Sequence, residues 1–405
     1  MVEQQEIKQL LQTKIFGHPI AKQFNAYSQS VLKKLSECHT VRLGVHLYRC
    51  DSCQHQHYQY HSCGNRHCPN CGGLKREQWL QDRMSELLPT TYFHIVFTLP
   101  QQLRSLAMGN RKAVFNLLFE ASTYTLRKLG QDEKHLGGTP GIISILHTNG
   151  QDLTFHPHVH CIVSGGGLSK AGKWIKEKRK NGIFLFPRRQ IEKTFKAYFL
   201  DRLQQLFTLK NLAVVDEESY VKTIQQVRYI KWNVGAQSPF GGPQPVLNYL
   251  GRYTHKVAIT SHRILSIDDT NITFMYKDYK DGDKQKQMTL SHEEFLRRFE
   301  QHILPKGFVK IRHSGFLSHQ HKTERLKSIC EQLQLSPPPP KVKLPVATLA
   351  AMKYGVDITQ CSVCKTGKLE LVATYVNVAR EGVCLVNAAD LHSRGSPKKL
   401  QKAAL

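Results

Sequence analysis

The first ninety residues scatter short apolar runs among polar ones, and their clearest period is helical: LKREQWLQDRMSELL over 74–88 predicts an amphipathic helix with Trp79 on its apolar side. From about residue 91 the pattern changes. YFHIVFTL at 92–99 is a β-rich run closed by Pro100. Leu103, Leu106, Val114, Leu117, Leu118 and Leu126 then mark one long helix over 103–129. A strand is predicted over 141–147, a hairpin turn at Asn149-Gly150, and a returning strand over 153–164 closed by Gly165-Gly166-Gly167. Helical spacing returns over 189–207, and Pro245 suits the first turn of a short helix over 246–253. Strands follow over 257–267 and 272–279, with a turn at Asp281-Gly282. At 291–302, SHEEFLRRFEQH opens on an N-cap serine followed by acids, so it reads as a helix. Strands and helices interleave without the regular repeat of a barrel. The expected fold class is therefore α+β, an antiparallel sheet with packed helices.

At 405 residues the chain is too long for one ordinary domain. Three parts are expected: a module over 1–90, a larger domain over 91–320, and a basic C-terminal region over 321–405 joined by the stiff linker SPPPP at 336–340. The tail SRGSPKKLQK is expected to be disordered. Fifty-seven Lys and Arg against thirty-one Asp and Glu leave a net charge of +26. Such a charge repels itself unless a polyanion is bound, which points to nucleic acid. A hydrophobic share of 40% excludes wholesale disorder. No apolar run approaches the roughly 18 residues of a membrane span. MVEQQEIKQLLQ lacks the basic-then-apolar order of a signal peptide, so a cytoplasmic protein without membrane contact is expected.

Eleven cysteines in a reducing compartment read as metal ligands or core residues rather than disulfides. Cys50-x-x-Cys53 and Cys68-x-x-Cys71, fourteen residues apart, have the spacing of a zinc ribbon in which two knuckles close one tetrahedron. Cys38, His46, Cys63 and His67 are left over in the same window, and three readings stay open for them: a second zinc site, replacement of some members of the first set, or packed thiols and imidazoles. Arg42, Arg49, Arg66, Lys75 and Arg76 surround the knuckles, as a phosphate-gripping ribbon requires. A further pair, Cys361-x-x-Cys364, has no second CxxC after it. A zinc site there would have to recruit Cys330, Cys384 or His392, and none is expected.

His156, His158 and His160 alternate along the strand after the Asn-Gly turn, so they share one face while Val159 and Cys161 point to the core. Two imidazoles about 6–7 Å apart on one strand can hold a divalent ion from the same side. Tyr249 and Tyr253 stand at i and i+4 on the short helix, beside Arg252 and Lys256. A phenol with a pKa near about 10 is a poor nucleophile until cations and a polarised phosphate assist it. Gly167-Leu-Ser-Lys-Ala-Gly172-Lys173 imitates a phosphate loop, but Trp174 stands where a Mg²⁺-ligating hydroxyl should follow, and ATP binding is rejected.

His158-Val159-His160 is a His-hydrophobic-His (HUH) motif, and Tyr249-Leu-Gly-Arg-Tyr253 a tyrosine pair downstream of it. Together they resemble the two-tyrosine HUH transposases of the insertion sequence 91 family. SCGNRHCPNC resembles that family's zinc-binding domain, FHIVFTLP its first core strand, and FHPHVHCIVSGGG, YLGRYTHK and ILPKGFVKIRHSGFLS continue the likeness over roughly 38–320. The resemblance implies a zinc-ribbon-like module followed by an HUH-type sheet that nicks and rejoins single-stranded DNA by rolling-circle transposition. It implies Mg²⁺ or Mn²⁺ on His158 and His160, and attack by Tyr249 or Tyr253 to give a 5′-phosphotyrosine. The third metal ligand is open, with His156 first and His94 and His255 behind it. The zinc module would read a hairpin or other element end, with Arg252, Lys256 and Arg66 on DNA. Two other readings compete: a plasmid replication initiator or relaxase with the same chemistry, and a non-catalytic zinc-ribbon regulator. Oligomeric state and the order of the tyrosines are not legible.

Overall fold

The computed structural model describes residues 2–177, 185–240, 242–253, 258–279, 281–378, 382–386 and 401–402. They form two compact units, one of Met1–Gln78, Val257–Ile303 and Lys343–Leu405, the other of Trp79–Lys256 and Leu304–Val342.

The first unit begins with helices α1 (Val2–Leu10) and α2 (Ala26–Ser36), the second capped by Asn25, whose Oδ1 accepts from Ser28 N at 3.0 Å. Strands β1 (Val45–Cys50) and β2 (Gln56–Tyr60) make an antiparallel hairpin. Residues beyond the proline linker complete that sheet: after helix α11 (Val346–Tyr354), strand β12 (Leu369–Val378) pairs with the open side of β1, and β13 (Gly382–Val386) and β14 (Gln401–Lys402) follow outward. The tail expected to be disordered lies outside the described residues except for 401–402, which pair with β13. A three-stranded meander, β8 (Ile264–Ile267), β9 (Asn271–Asp278) and β10 (Lys284–Ser291), leads into α9 (His292–Glu300), where Ser291 is the predicted N-cap. The strand expected over 257–267 begins only at Ile264, behind a 3₁₀ turn at Ser261–Arg263, and residues 254–257 lie outside the description. Helix α3 (Gly73–Met84) carries the chain across the boundary between the units.

The second unit is built on one antiparallel sheet. Its strands are β3 (Tyr92–Thr98), β4 (Thr139–Asn149), β5 (Phe155–Leu168), β6 (Trp174–Lys176), β7 (Val234–Phe240) and β11 (Ile311–Ser314). They run in the order β11-β4-β5-β3-β7, with β6 on the end of β5. The helix expected over 103–129 is two, α4 (Arg104–Gly109) and α5 (Arg111–Gln131), because Asn110 leaves helical geometry at φ −127° and ψ 40°. Its amide donates to Leu106 O at 3.0 Å and Ala213 O at 2.9 Å, anchoring the break. Helices α6 (Arg188–Thr208) and α7 (Glu217–Tyr229) join α5 on one sheet face, where Phe97 meets Phe195 at 4.8 Å between ring centroids and Val159, Cys161 and Val163 are buried. The opposite face receives helices α8 (Pro243–Tyr253) and α10 (Lys322–Gln332), with Val246, Tyr249, Leu250 and Ile329 buried against Ile143, Ile145 and Ile162. Period-2 alternation along β5 divides these two cores, as the sequence pattern requires. Among the described residues no helix is long and apolar enough to cross a membrane.

Candidate active site and metal clusters

Three strands aim imidazoles at the face beneath α8. In the ladder, Thr98 and His147 flank His158 from either side, and Val96 and Ile145 flank His160. His147, His158 and His160 each offer a ring nitrogen within 4.8 Å of the others, close enough to share one ion. Nothing in the local sequence pattern singles out His147 as a ligand. A two-residue turn at Asn149-Gly150 would pair it elsewhere. The real connection is longer: Asp152 Oδ1 accepts from Thr154 N at 3.2 Å, Leu153 sits at φ 62°, and the register shifts between His147 and Asn149. That slip brings His147 opposite His158.

His156, the first choice for third ligand, takes another partner: Arg104 Nη2 donates to its Nδ1. It is not among the three clustered imidazoles. Burial, with Arg104 adding to it, pushes the His156 pKa down to about 4. Burial likewise lowers His158 to about 4, and His160 well below its ordinary value. The rings are thus neutral at pH 7, the form that binds metal. His158 Nδ1–H donates to the carbonyl of His156 at 2.6 Å, which orients the ring and leaves its Nε2 lone pair available. The neutral rings of His158 and His160, with a His147 ring nitrogen within 4.8 Å of theirs, fit a divalent ion.

Tyr249 is 7% exposed, and its hydroxyl lies 2.8 Å from His94 Nε2 and 2.8 Å from His160 Nδ1. His94 stacks on His160 at 8° between planes, with 2.9 Å between His94 Nε2 and His160 Nδ1. His94, a fallback candidate for the metal, is thus engaged with the tyrosine. The side chains of Arg252 and Tyr253 and all of His255 and Lys256 lie outside the described residues. Cys161 is buried on the far side of β5, its Sγ 3.4 Å from Ser144 Oγ, and burial raises its thiol to about 12. The stretch after Gly167 is a hairpin turn, Ser169 N donating to Lys173 O at 2.9 Å, and it runs into strand β6 instead of opening a helix.

The cysteines assort differently from their spacing. Cys68 and Cys71 gather with Cys38 and Cys63, whose sulfurs include pairs at 3.2 Å (Cys38–Cys71), 3.6 Å (Cys38–Cys68) and 3.7 Å (Cys63–Cys71). Cys50 and Cys53 are in a separate group with Cys361 and Cys364. The expected set of Cys50, Cys53, Cys68 and Cys71 is therefore corrected: Cys50, the last residue of β1, pairs with Leu369, the first of β12, which brings the first knuckle to the 361–364 pair. The expectation that the pair at 361–364 lacks partners falls with it. His67 is buried with its Nδ1 3.0 Å from Asn65 Oδ1, outside both groups, and Arg66 is exposed on the loop between Cys63 and Cys68. His46 meets Thr374 Oγ1 at 2.7 Å.

Residues 4–99 match the family described as "Transposase zinc-binding domain", and residues 141–325 the family described as "Putative transposase". The chain is 40% identical over 370 residues to "Putative transposase y4qJ" of Sinorhizobium fredii, covering 87% of this chain and 91% of that protein. It is 32% identical over 340 residues to the "Transposase for insertion sequence element IS801" of Pseudomonas savastanoi pv. phaseolicola, covering 82% of this chain and 80% of that one. Among solved structures, the metal-bound conjugative relaxase TrwC in complex with oriT DNA aligns with 42% of this chain and 72% of its own, at 12% identity and a TM-score of 0.22, too slight a superposition to bear on fold or function. With two transposases matched along most of their length and the zinc-binding domain in place, the chain belongs to the insertion sequence 91 family of transposases.

Proposed function

We propose that this transposase nicks and rejoins single-stranded DNA at the ends of its element, with Tyr249 as a nucleophile. The observation that carries the reading is the hydroxyl of Tyr249 held 2.8 Å from two imidazoles, one of which belongs to a three-histidine cluster. His147, His158 and His160 would hold Mg²⁺ or Mn²⁺, which when bound polarises the scissile phosphate and stabilises its developing charge. The chain's own groups account for the proton. With its Nε2 lone pair given to an ion, His160 must carry hydrogen on Nδ1, so it donates to the phenol oxygen. The acceptor left for the phenol hydrogen is Nε2 of His94. In the reaction Tyr249 Oη bonds to phosphorus, the bond from phosphorus to O3′ breaks, the phenol proton passes to His94, and the departing O3′ takes a proton from water. The products are a 5′-phosphotyrosine and a free 3′-hydroxyl. Tyr253, one helical turn on, would accept the second strand, and exchange of one phosphodiester for another needs no nucleotide energy.

In the same reading Cys38, Cys63, Cys68 and Cys71 bind a structural zinc that shapes the 63–71 loop, with Arg66 on its exposed side to meet DNA phosphates; Arg252 and Lys256 would do the same beside the tyrosines. The test is a covalent-adduct assay on labelled single strands spanning the element ends, with Mn²⁺ or Mg²⁺ added or withheld. A denaturant-resistant, metal-dependent adduct lost in the Tyr249→Phe, Tyr253→Phe double variant supports the nuclease. Tight binding without adduct under any metal would leave a DNA-binding protein and overturn it.

A further inference from the structure

Cys50, Cys53, Cys361 and Cys364 come from the two ends of the sequence, and the second pair lies beyond both matched family regions. Their sulfurs are mutually within 4.8 Å, with Cys50–Cys364 and Cys53–Cys361 both at 3.7 Å. A disulfide would bring one pair to about 2.05 Å and leave the other apart. Four thiolates each about 2.3 Å from a tetrahedral zinc stand about 3.8 Å from one another. The spacing is that of the tetrahedron.

The backbone is shaped for the same purpose. Cys53 N lies 3.5 Å from Cys50 Sγ, and Gly367 N 3.3 Å from Cys364 Sγ, so amides face sulfur in both knuckles as thiolate ligands require. The residue after the second cysteine of each knuckle is left-handed, Gln54 at φ 60° and Lys365 at φ 61°. In the other cysteine group His39 and Gly64 follow Cys38 and Cys63 at φ 57° and 58°. Non-glycine residues hold that conformation only where their surroundings dictate it. Gly367 packs so closely that a Cβ on it would run into Cys50 Sγ. Asp51 ties the knuckles together: its N–H donates to Lys368 O at 3.0 Å, and its Oδ1 accepts from Lys368 N at 2.9 Å.

We propose that Cys50, Cys53, Cys361 and Cys364 form a second structural zinc site, which clamps β12 onto β1. Cys50 is the last residue of β1 and pairs with Leu369, the first of β12, so the site sits at the mouth of that ladder. A metal there closes a loop of 308 residues between Cys53 and Cys361, restricting the unfolded chain and pinning the C-terminal strands to the N-terminal hairpin. The zinc count rests on the first cysteine group also binding metal, as proposed above, and not on the nuclease chemistry.

The test counts zinc on the full chain, purified in reductant and carrying His158→Ala and His160→Ala so that the imidazoles contribute none. Two zinc ions per chain are expected, falling to one with Cys361→Ser and Cys364→Ser, together with loss of amide-exchange protection in β12 and unchanged protection in β5. One ion in the parent, no change on the double substitution, or a Cys50–Cys364 or Cys53–Cys361 disulfide by mass spectrometry would overturn the proposal. Should the double variant not fold, cobalt titration of the parent decides: thiolate-to-cobalt absorbance rising to two equivalents supports the second site, and saturation at one rejects it.

Discussion

Tyr249 and His94 meet across 155 residues of chain, the phenol oxygen 2.8 Å from Nε2 of the imidazole. The contact gives His94 work that its position on β3 did not announce. If His94 takes the phenol proton, His94→Gln should keep single-strand binding and lower the cleavage rate by about 10²–10⁴-fold, the usual contribution of a positioned base. Tyr249→Phe should abolish the adduct at this residue outright. Single-turnover cleavage with peptide mapping of the adduct checks both, and an unchanged rate in His94→Gln would remove the base from the scheme.

His147 and His156 make opposing predictions. His147 shares the imidazole cluster, so His147→Ala should raise the Mn²⁺ concentration needed for cleavage by at least tenfold and be partly rescued at high metal. His156 instead receives a hydrogen bond from Arg104, and His156→Ala should shift that requirement little. Metal titrations of cleavage activity separate them; equal shifts would return His156 to the ligand set.

How much of this was legible beforehand follows from which interactions are local. Alternation along β5 placed His158 and His160 on one face and Cys161 on the other, because strand parity needs only neighbours in sequence. His147 was hidden by a turn longer than its Asn-Gly signal suggested, since a shift in the connection changes which residues face each other. The pairing of Cys50 and Cys53 with Cys361 and Cys364 spans the whole chain, and no spacing rule reaches that far. β10 was unread for a different reason: KQKQMTLS is a polar edge strand defined by its ladder with β9, not by burial.

The histidine pKa values give stability a definite pH slope. Burial holds His156 and His158 at about 4 in the folded chain, against about 6.5 when unfolded. A depressed folded value means the unfolded state binds more protons, so their contribution is complete above pH 6.5 and declines as pH falls toward 4. Melting of the chelated protein should therefore move little between pH 8 and 7 and drop steeply between 6.5 and 4. Replacing His158 with Asn should flatten that drop, and an unflattened curve would place the slope elsewhere.

Arg66, exposed on the cysteine loop, bears on the +26 charge. If it meets a phosphate, Arg66→Ala should weaken binding to single strands of any sequence by a similar factor. It should also reduce the slope of log K against log salt by about 0.7, one counterion's worth for single-stranded nucleic acid. Fluorescence anisotropy across a salt series measures this, and a slope equal to the parent's would take Arg66 off the backbone.

Glu86 is almost fully buried and gathers three cations: Lys322 Nζ at 2.6 Å, Lys341 Nζ at 2.7 Å and Arg83 Nη2 at 3.1 Å. Arg83 Nη1 lies 3.0 Å from His313 Nε2 on β11, and burial with Arg83 beside it lowers that ring to about 3, so the imidazole stays neutral and can accept. Lys322 opens α10, whose Leu326 and Ile329 pack in the same core as Tyr249. Removing the carboxylate leaves Arg83 and Lys322 buried without a counter-charge, a loss of about 3–5 kcal/mol. Lys341 is half exposed, and its removal should cost less than about 1 kcal/mol. Glu86→Ala should thus lower the melting temperature by about 10 °C while Lys341→Ala barely moves it. The first variant should also lose cleavage activity out of proportion to binding, since α10 shares the packing that seats Tyr249. Similar melting curves for the two would mean that solvent, not Glu86, compensates the buried cations.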